Sequence, residues 1–210
     1  MAQLTPAERG LVAGLDTPLR IQEFLDTVPY STEAVYRCPL QVLRERRAHC
    51  FDGALFAAWA LRRLGHRALI LELLPDDRDD DHLLAPFRIE GHWGAVAKSN
   101  FTGLRYREPI HRSLRELVLS YFEHYFNVEG ERTLRGYTTT LDLAAFDGEG
   151  WTTDAAPLDR IADRLDTVRR FDLLTPGMIA RLTHVDAHLY RAGLHGSDAD
   201  GLFRPGQATP

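Results

Sequence analysis

Between residues 50 and 64 the chain reads CFDGALFAAWALRRL, with Phe51, Ala54, Leu55, Ala58 and Leu61 recurring at helical spacing while Arg62 and Arg63 face out. Gly65 follows, a residue suited to the left-handed position just past a helix, and stops it. A helix this apolar has to be covered, and the next segments supply the cover. Residues 66–74 (HRALILELL) are too short and too apolar for a surface helix and read as a buried strand. An acidic loop, 76–81, leads into two strand-like runs, 82–89 and 92–98, joined as a hairpin around Glu90-Gly91. Pro86 interrupts the first run and places it at an edge or bulge. The expected architecture is α+β: a Cys50-bearing helix on a small antiparallel sheet, with further helices toward the C-terminus.

Local chemistry marks the flanks. Three helices are expected to open on Thr-Pro pairs, Thr5-Pro6, Thr17-Pro18 and Thr175-Pro176, because Thr accepts bonds from orphan amides and Pro at the first helical position has no amide to lose. The second runs to about Thr27 with Ile21, Phe24, Leu25 and Val28 on one face; residues 28–38 read as loop, with Pro29 and Pro39 as breakers. Ser113 and Glu116 form a capping-box pattern for a helix reaching Asn127, whose Leu117, Val118, Tyr121, Tyr125 and Phe126 read as core and not as a cofactor box. Residues 133–143 look β-like. Gly148-Glu149-Gly150 suggests a boundary, giving a core over 15–150, a helical extension over 151–195 that packs on it and narrows a cleft, and a disordered polar tail over 196–210.

A 210-residue chain can bury a sizeable core as one domain. Its net charge of −5 and lack of a basic stripe argue against nucleic acid as a partner. Lys98 is the single lysine. No signal peptide or membrane span is readable, and two cysteines without secretion signals point to the cytoplasm and to free thiols, not a Cys38–Cys50 disulfide.

Cys50, His82 and Asn100 stand at a helix start, a strand start and the end of the following strand. Cys, His and Asn are the chemistry of a thiol nucleophile, its base and the amide that orients that base. A helix N-terminus favours thiolate through its unpaired amides and macrodipole. From position alone, an inert cysteine starting a core helix accounts for Cys50 as well. His49 and His92 are the rival bases, and a solvent-facing residue closing the acidic loop is the plain alternative for His82.

Residues 49–57 (HCFDGALFA), the Leu61-to-Gly65 stop, His82 leading a strand, Trp93-Gly94 near the hairpin and the lead-in 21–43 with Tyr30 and Pro39-Leu40 resemble the transglutaminase-like (papain-like thiol) superfamily over residues 18–110. The resemblance implies catalytic roles for Cys50, His82 and Asn100, with Asp52 as a supporting part of the motif. Asn100 stands where the family usually carries Asp, and no upstream Trp matches the oxyanion residue of animal transglutaminases; the Cys50 amide and Gln41 are the substitutes suggested here.

Other signals carry less. The acidic loop lacks the glycine and terminal glutamate of an EF-hand and reads as solvated, or as steering cationic substrates toward His82. His184 and His188 share a metal-ligand spacing without a third ligand, and Arg44, Arg46 and Arg47 read as a solvated face able to meet a substrate carboxylate. The expected function is a cysteine-dependent amide hydrolase or acyltransferase working through a thioester, on a peptide or small amide, without cofactor or metal and without membrane or nucleic-acid partners. The alternative is a catalytically silent transglutaminase-like domain that binds a protein or ligand.

Overall fold

The computed structural model describes residues 4–206. Residues 1–3 of the polar N-terminal stretch and 207–210 of the tail lie outside the described residues. Helices α1 (Pro6–Ala13), α2 (Pro18–Asp26), α3 (Pro39–Glu45) and α4 (Cys50–Arg63) come first, followed by strands β1 (Leu69–Pro75), β2 (His82–Ile89), β3 (His92–Val96) and β4 (Arg107–His111). Then come α5 (Leu114–Leu119), β5 (Leu134–Thr138), β6 (Leu141–Asp142), α6 (Leu158–Asp166), β7 (Arg170–Asp172), α7 (Pro176–Ile179) and α8 (Ala187–Gly193). The fold is mixed, with helices packed on an antiparallel sheet in the order β4-β3-β2-β1-β5-β7; β6 pairs with the start of β1.

The sheet separates two cores. On one face α2, α3, α4 and α6 pack with Ile70, Leu83, Ala85 and Phe87. On the other, Leu71, Leu73, Leu84 and Ala95 meet α5 and the aromatic run Tyr121–Tyr125. Every strand residue therefore commits to one face or the other by parity.

Local expectations hold where the chemistry is local. Thr5, Thr17 and Thr175 cap α1, α2 and α7, each followed by Pro. Gly65 (φ +91°) ends α4 while the amides of Gly65 and His66 bond the carbonyls of Arg62 and Leu61, a left-handed reversal a side chain would strain. Glu90 and Gly91 both take positive φ in the β2–β3 turn.

Longer-range expectations need correcting. Pro39 does not break the chain; it opens α3, capped by Cys38. Pro86 lies inside β2, but beyond the short β1–β2 ladder (Leu71–Leu73 against His82–Leu84), so that only β3 pairs with it. The helix expected through Asn127 ends at Leu119, and a 3-10 turn follows. Past it, the buried Tyr121 and Tyr125 spend their hydroxyls on the carbonyls of Arg105 and Asp80, 2.8 and 2.7 Å away. The extension packs on the core as expected, with Trp151 fully buried on the α4 side just past residues 148–150. The 151–195 segment is not a purely helical addition, because β7 extends the sheet beside β5. Among the described residues no helix is long and apolar enough to cross a membrane.

Candidate functional site

The N-terminus of α4 is built by the lead-in loop. His49 caps the helix, its Nδ1 accepting from the Phe51 amide at 3.2 Å. Asp52 is wholly buried and accepts from the amides of Arg37 (2.7 Å) and His49 (3.3 Å), with the Arg37 guanidinium 3.8 Å away. Burial pushes the Asp52 carboxyl up to about 7 against those amides and Arg37. Asp52 therefore ties the loop to the helix instead of facing a reacting atom. Gln41 has a capping role: its Oε1 accepts from the Cys38 amide at 3.0 Å at the start of α3, and the residue is not part of the cleft lining around Cys50.

Cys50, partly exposed and free, lies in the wall of a cleft of about 1070 Å³. Tyr30, Tyr36, Phe51 and Phe203 give this cleft aromatic surface, while Glu72, Asp81, Asp159, Asp166 and Asp200 give it negative charge. Burial, then Asp81 and Asp80, hold the thiol well above its ordinary pKa, and the Leu83 amide only partly opposes them. The thiol is thus neutral at physiological pH, the reverse of the thiolate expected from a helix N-terminus. Burial is the larger cause, and the carboxyls of Asp81 and Asp80 add to it against the helix N-terminus.

The three residues expected to act together are separated. His82 lies opposite Leu73 in the β1–β2 register, and both point to the sheet face away from α4. The ring is 4 % exposed, with Nε2 2.7 Å from the Leu104 carbonyl. Burial pushes its pKa down to about 4, against that bond and with Arg107 adding to the fall. It is a neutral core histidine, and Leu83 instead turns toward α4. Asn100 orients no ring: Nδ2 donates to the Asp198 carbonyl and Oδ1 accepts the Asp198 amide, both at 2.8 Å. The rivals fare no better. His49, pushed down to about 4 by burial and Arg37, is engaged by the Phe51 amide and by Asp52, and His92 closes its own turn on the Glu90 carbonyl.

Asn100 holds down the C-terminal segment that was expected to be disordered. Gly201 is seated so closely on Tyr30 that a Cβ would come within 2.9 Å of Cδ1, and Leu202, Phe203 and Arg204 then line the cleft. Asn100→Ala removes both bonds to Asp198 and is expected to speed chymotrypsin cleavage after Phe203 at least several-fold, with a global cost of about 1–2 kcal/mol. An unchanged cleavage rate at native temperature would show that the clamp does not hold this segment.

The remaining sequence candidates resolve as structure. Arg44 pairs with Glu8 (2.7 Å), Arg47 with Glu33 (2.6 Å), and the Arg46 guanidinium stacks 4.4 Å from the Phe24 ring centre. His184 lies outside α8 while His188 is within it, so the helical ligand spacing is not realised. Among the described residues no group of three His, Cys, Asp or Glu side chains is placed to hold a metal ion. In the acidic loop, Asp76 pairs with Arg135 (2.5 Å) and Asp79 accepts from Thr133 (2.5 Å), leaving Asp80 and Asp81 to the Cys50 cleft and not to His82.

Glu72 is a cleft residue to which the sequence motifs do not point. Glu72 is the lone acid in an otherwise apolar strand, and its parity with Ile70 sends it to the α4 face. No protein-family model and no curated protein matches the chain.

Proposed function

We propose that the chain is a ligand-binding module with a transglutaminase-like core, and that the Cys50 cleft takes positively charged ligands. The observation that carries this reading is the acidity of the wall: Glu72, Asp80, Asp159, Asp166 and Asp200 line it together with Asp81, whose proton a cation can displace, against a single guanidinium, Arg204. A concave site lined by one sign of charge concentrates the opposite sign, and aromatic rings beside it add cation–π attraction. The volume suits a small organic cation or a side chain of a bound peptide.

Calorimetric titration with spermidine, N-acetyl-arginine amide, N-acetyl-lysine amide and the uncharged N-acetyl-norleucine amide tests it. Heat is expected from the cations alone, weakening as salt rises from 50 to 300 mM. Absence of binding by every cation sinks the reading.

A cysteine-dependent amide hydrolase or acyltransferase is the second reading, favoured by one observation: Cys50 opens α4 and reaches the cleft. It needs a base. His82 is spent on the Leu104 carbonyl and His49 on the Phe51 amide and Asp52, while burial and the nearby carboxyls raise the thiol pKa instead of lowering it.

A further inference from the structure

The acidity of the cleft has a focus. Glu72 is 6 % exposed, its backbone amide donates to Thr138 Oγ1 at 3.0 Å, and its side chain reaches the cleft wall. Yet its Oε2 is buried without a hydrogen-bond partner. A buried carboxylate oxygen with no donor costs a few kcal/mol, so this position calls for a donor, either the Asp81 proton or one brought by a ligand.

The neighbour is another carboxyl. Glu72 pairs with Leu83 in the β1–β2 register, and Asp81, two residues before Leu83, shares its face and stands diagonally across from Glu72. Both carboxyls line the Cys50 cleft. Desolvation in the cleft, then Glu72, push Asp81 up to about 8 although its side chain still meets solvent. At neutral pH Asp81 therefore holds its proton beside Glu72, and a cation with several donors can take that proton's place.

We propose that Glu72 and Asp81 form a guanidinium-binding subsite for an arginine side chain or arginine-like ligand, a specificity that rests on the cationic-cleft reading above. A guanidinium presents donors in a planar fork able to serve two carboxyl groups at once. It is also less strongly hydrated than an ammonium, so its entry beside the buried Oε2 costs less desolvation. Tyr30, Tyr36 and Phe203 line the same cleft, and a flat cation stacks on an aromatic ring where a compact ammonium gains less. Arg204, carried into the cleft by the segment that Asn100 anchors, already brings one guanidinium to this wall.

The test compares ligands of equal charge. N-acetyl-arginine amide is expected to bind at least ten-fold more tightly than N-acetyl-lysine amide to the full chain. Glu72→Gln, nearly isosteric, is expected to abolish that preference while leaving weak, salt-sensitive binding of both. Asp81→Asn, at the more exposed partner, provides a second variant should the buried change disturb folding, and is expected to reduce the preference at least three-fold. Equal binding of the two amides, or tighter binding of the lysine amide, overturns the guanidinium subsite and leaves the cationic cleft standing. Binding of neither overturns both.

Discussion

Asp52→Ala is expected to lower the unfolding free energy by about 3–5 kcal/mol, read from urea denaturation at constant m. The size follows from what Asp52 holds. Its oxygens accept from the amides of Arg37 and His49, and the Arg37 guanidinium, itself 5 % exposed, also bonds Glu45 (2.8 Å), Ser31 (3.1 Å) and Glu33. Truncation leaves two amides without an acceptor and removes the innermost carboxyl, ionised only as pH reaches about 7, beside a buried cation. Asp52→Asn keeps an acceptor but aims an amide NH₂ into a cluster of donors, so an intermediate loss is expected.

The pH dependence separates charge from shape. The folded pKa of Asp52, about 7, lies above its unfolded value near 3.9, so between those values the folded state binds the extra proton. The stability this group contributes is fully present at low pH and declines as pH rises through that window. The gap between wild type and Asp52→Asn should therefore narrow from pH 4 to pH 7. A loss under 1 kcal/mol in Asp52→Ala would remove Asp52 from the centre of this network.

What could be read from the chain divides by the range of the interaction involved. The Thr-Pro caps, the Gly65 stop and the Glu90-Gly91 turn are decided within a few residues, and each stands where its chemistry puts it. The helix from Cys50 is legible for the same reason. The face of His82 was legible too: Leu83, Ala85 and Phe87 alternate with it, and a strand packed on an apolar helix sends its large apolar residues toward that helix. The order Cys, His, Asn obscured this because order along a chain carries no parity. Glu72 obeys the same rule, with the opposite result.

Partners distant in sequence were beyond reach. Asn100 finds Asp198, almost a hundred residues later, and polar composition concealed a segment that is pinned through backbone bonds rather than apolar burial. The strand of residues 170–172 is three residues long, and only its place at the free edge of β5 makes it a strand. The early end of α5 has a similar origin, since the tyrosines that look like a helical stripe are placed by carbonyls elsewhere in the chain.

His82→Ala should separate stability from thiol chemistry. Removing a buried ring and the donor to the Leu104 carbonyl is expected to cost about 2–4 kcal/mol, through the cavity opened on the α5 side of the sheet and the acceptor left unpaired. The sign of the pH effect is opposite to that at Asp52. The folded pKa of about 4 lies below the unfolded value near 6.5, so the unfolded chain binds more protons between them and wild type loses stability as pH falls through that range. The alanine variant lacks this loss, and the difference between the two should be largest near pH 7 and shrink toward pH 4. Over the same variants, iodoacetamide alkylation of Cys50 followed by mass spectrometry should be slow at pH 6–7, rise only above the ordinary thiol range near 8.5, and follow the same profile with or without His82. That outcome fits a neutral thiol held up first by burial and then by Asp81 and Asp80. Rapid labelling at pH 6 that disappears in His82→Ala would instead demonstrate a thiolate–imidazolium pair, and with it the thiol enzyme that the order of the three residues suggested.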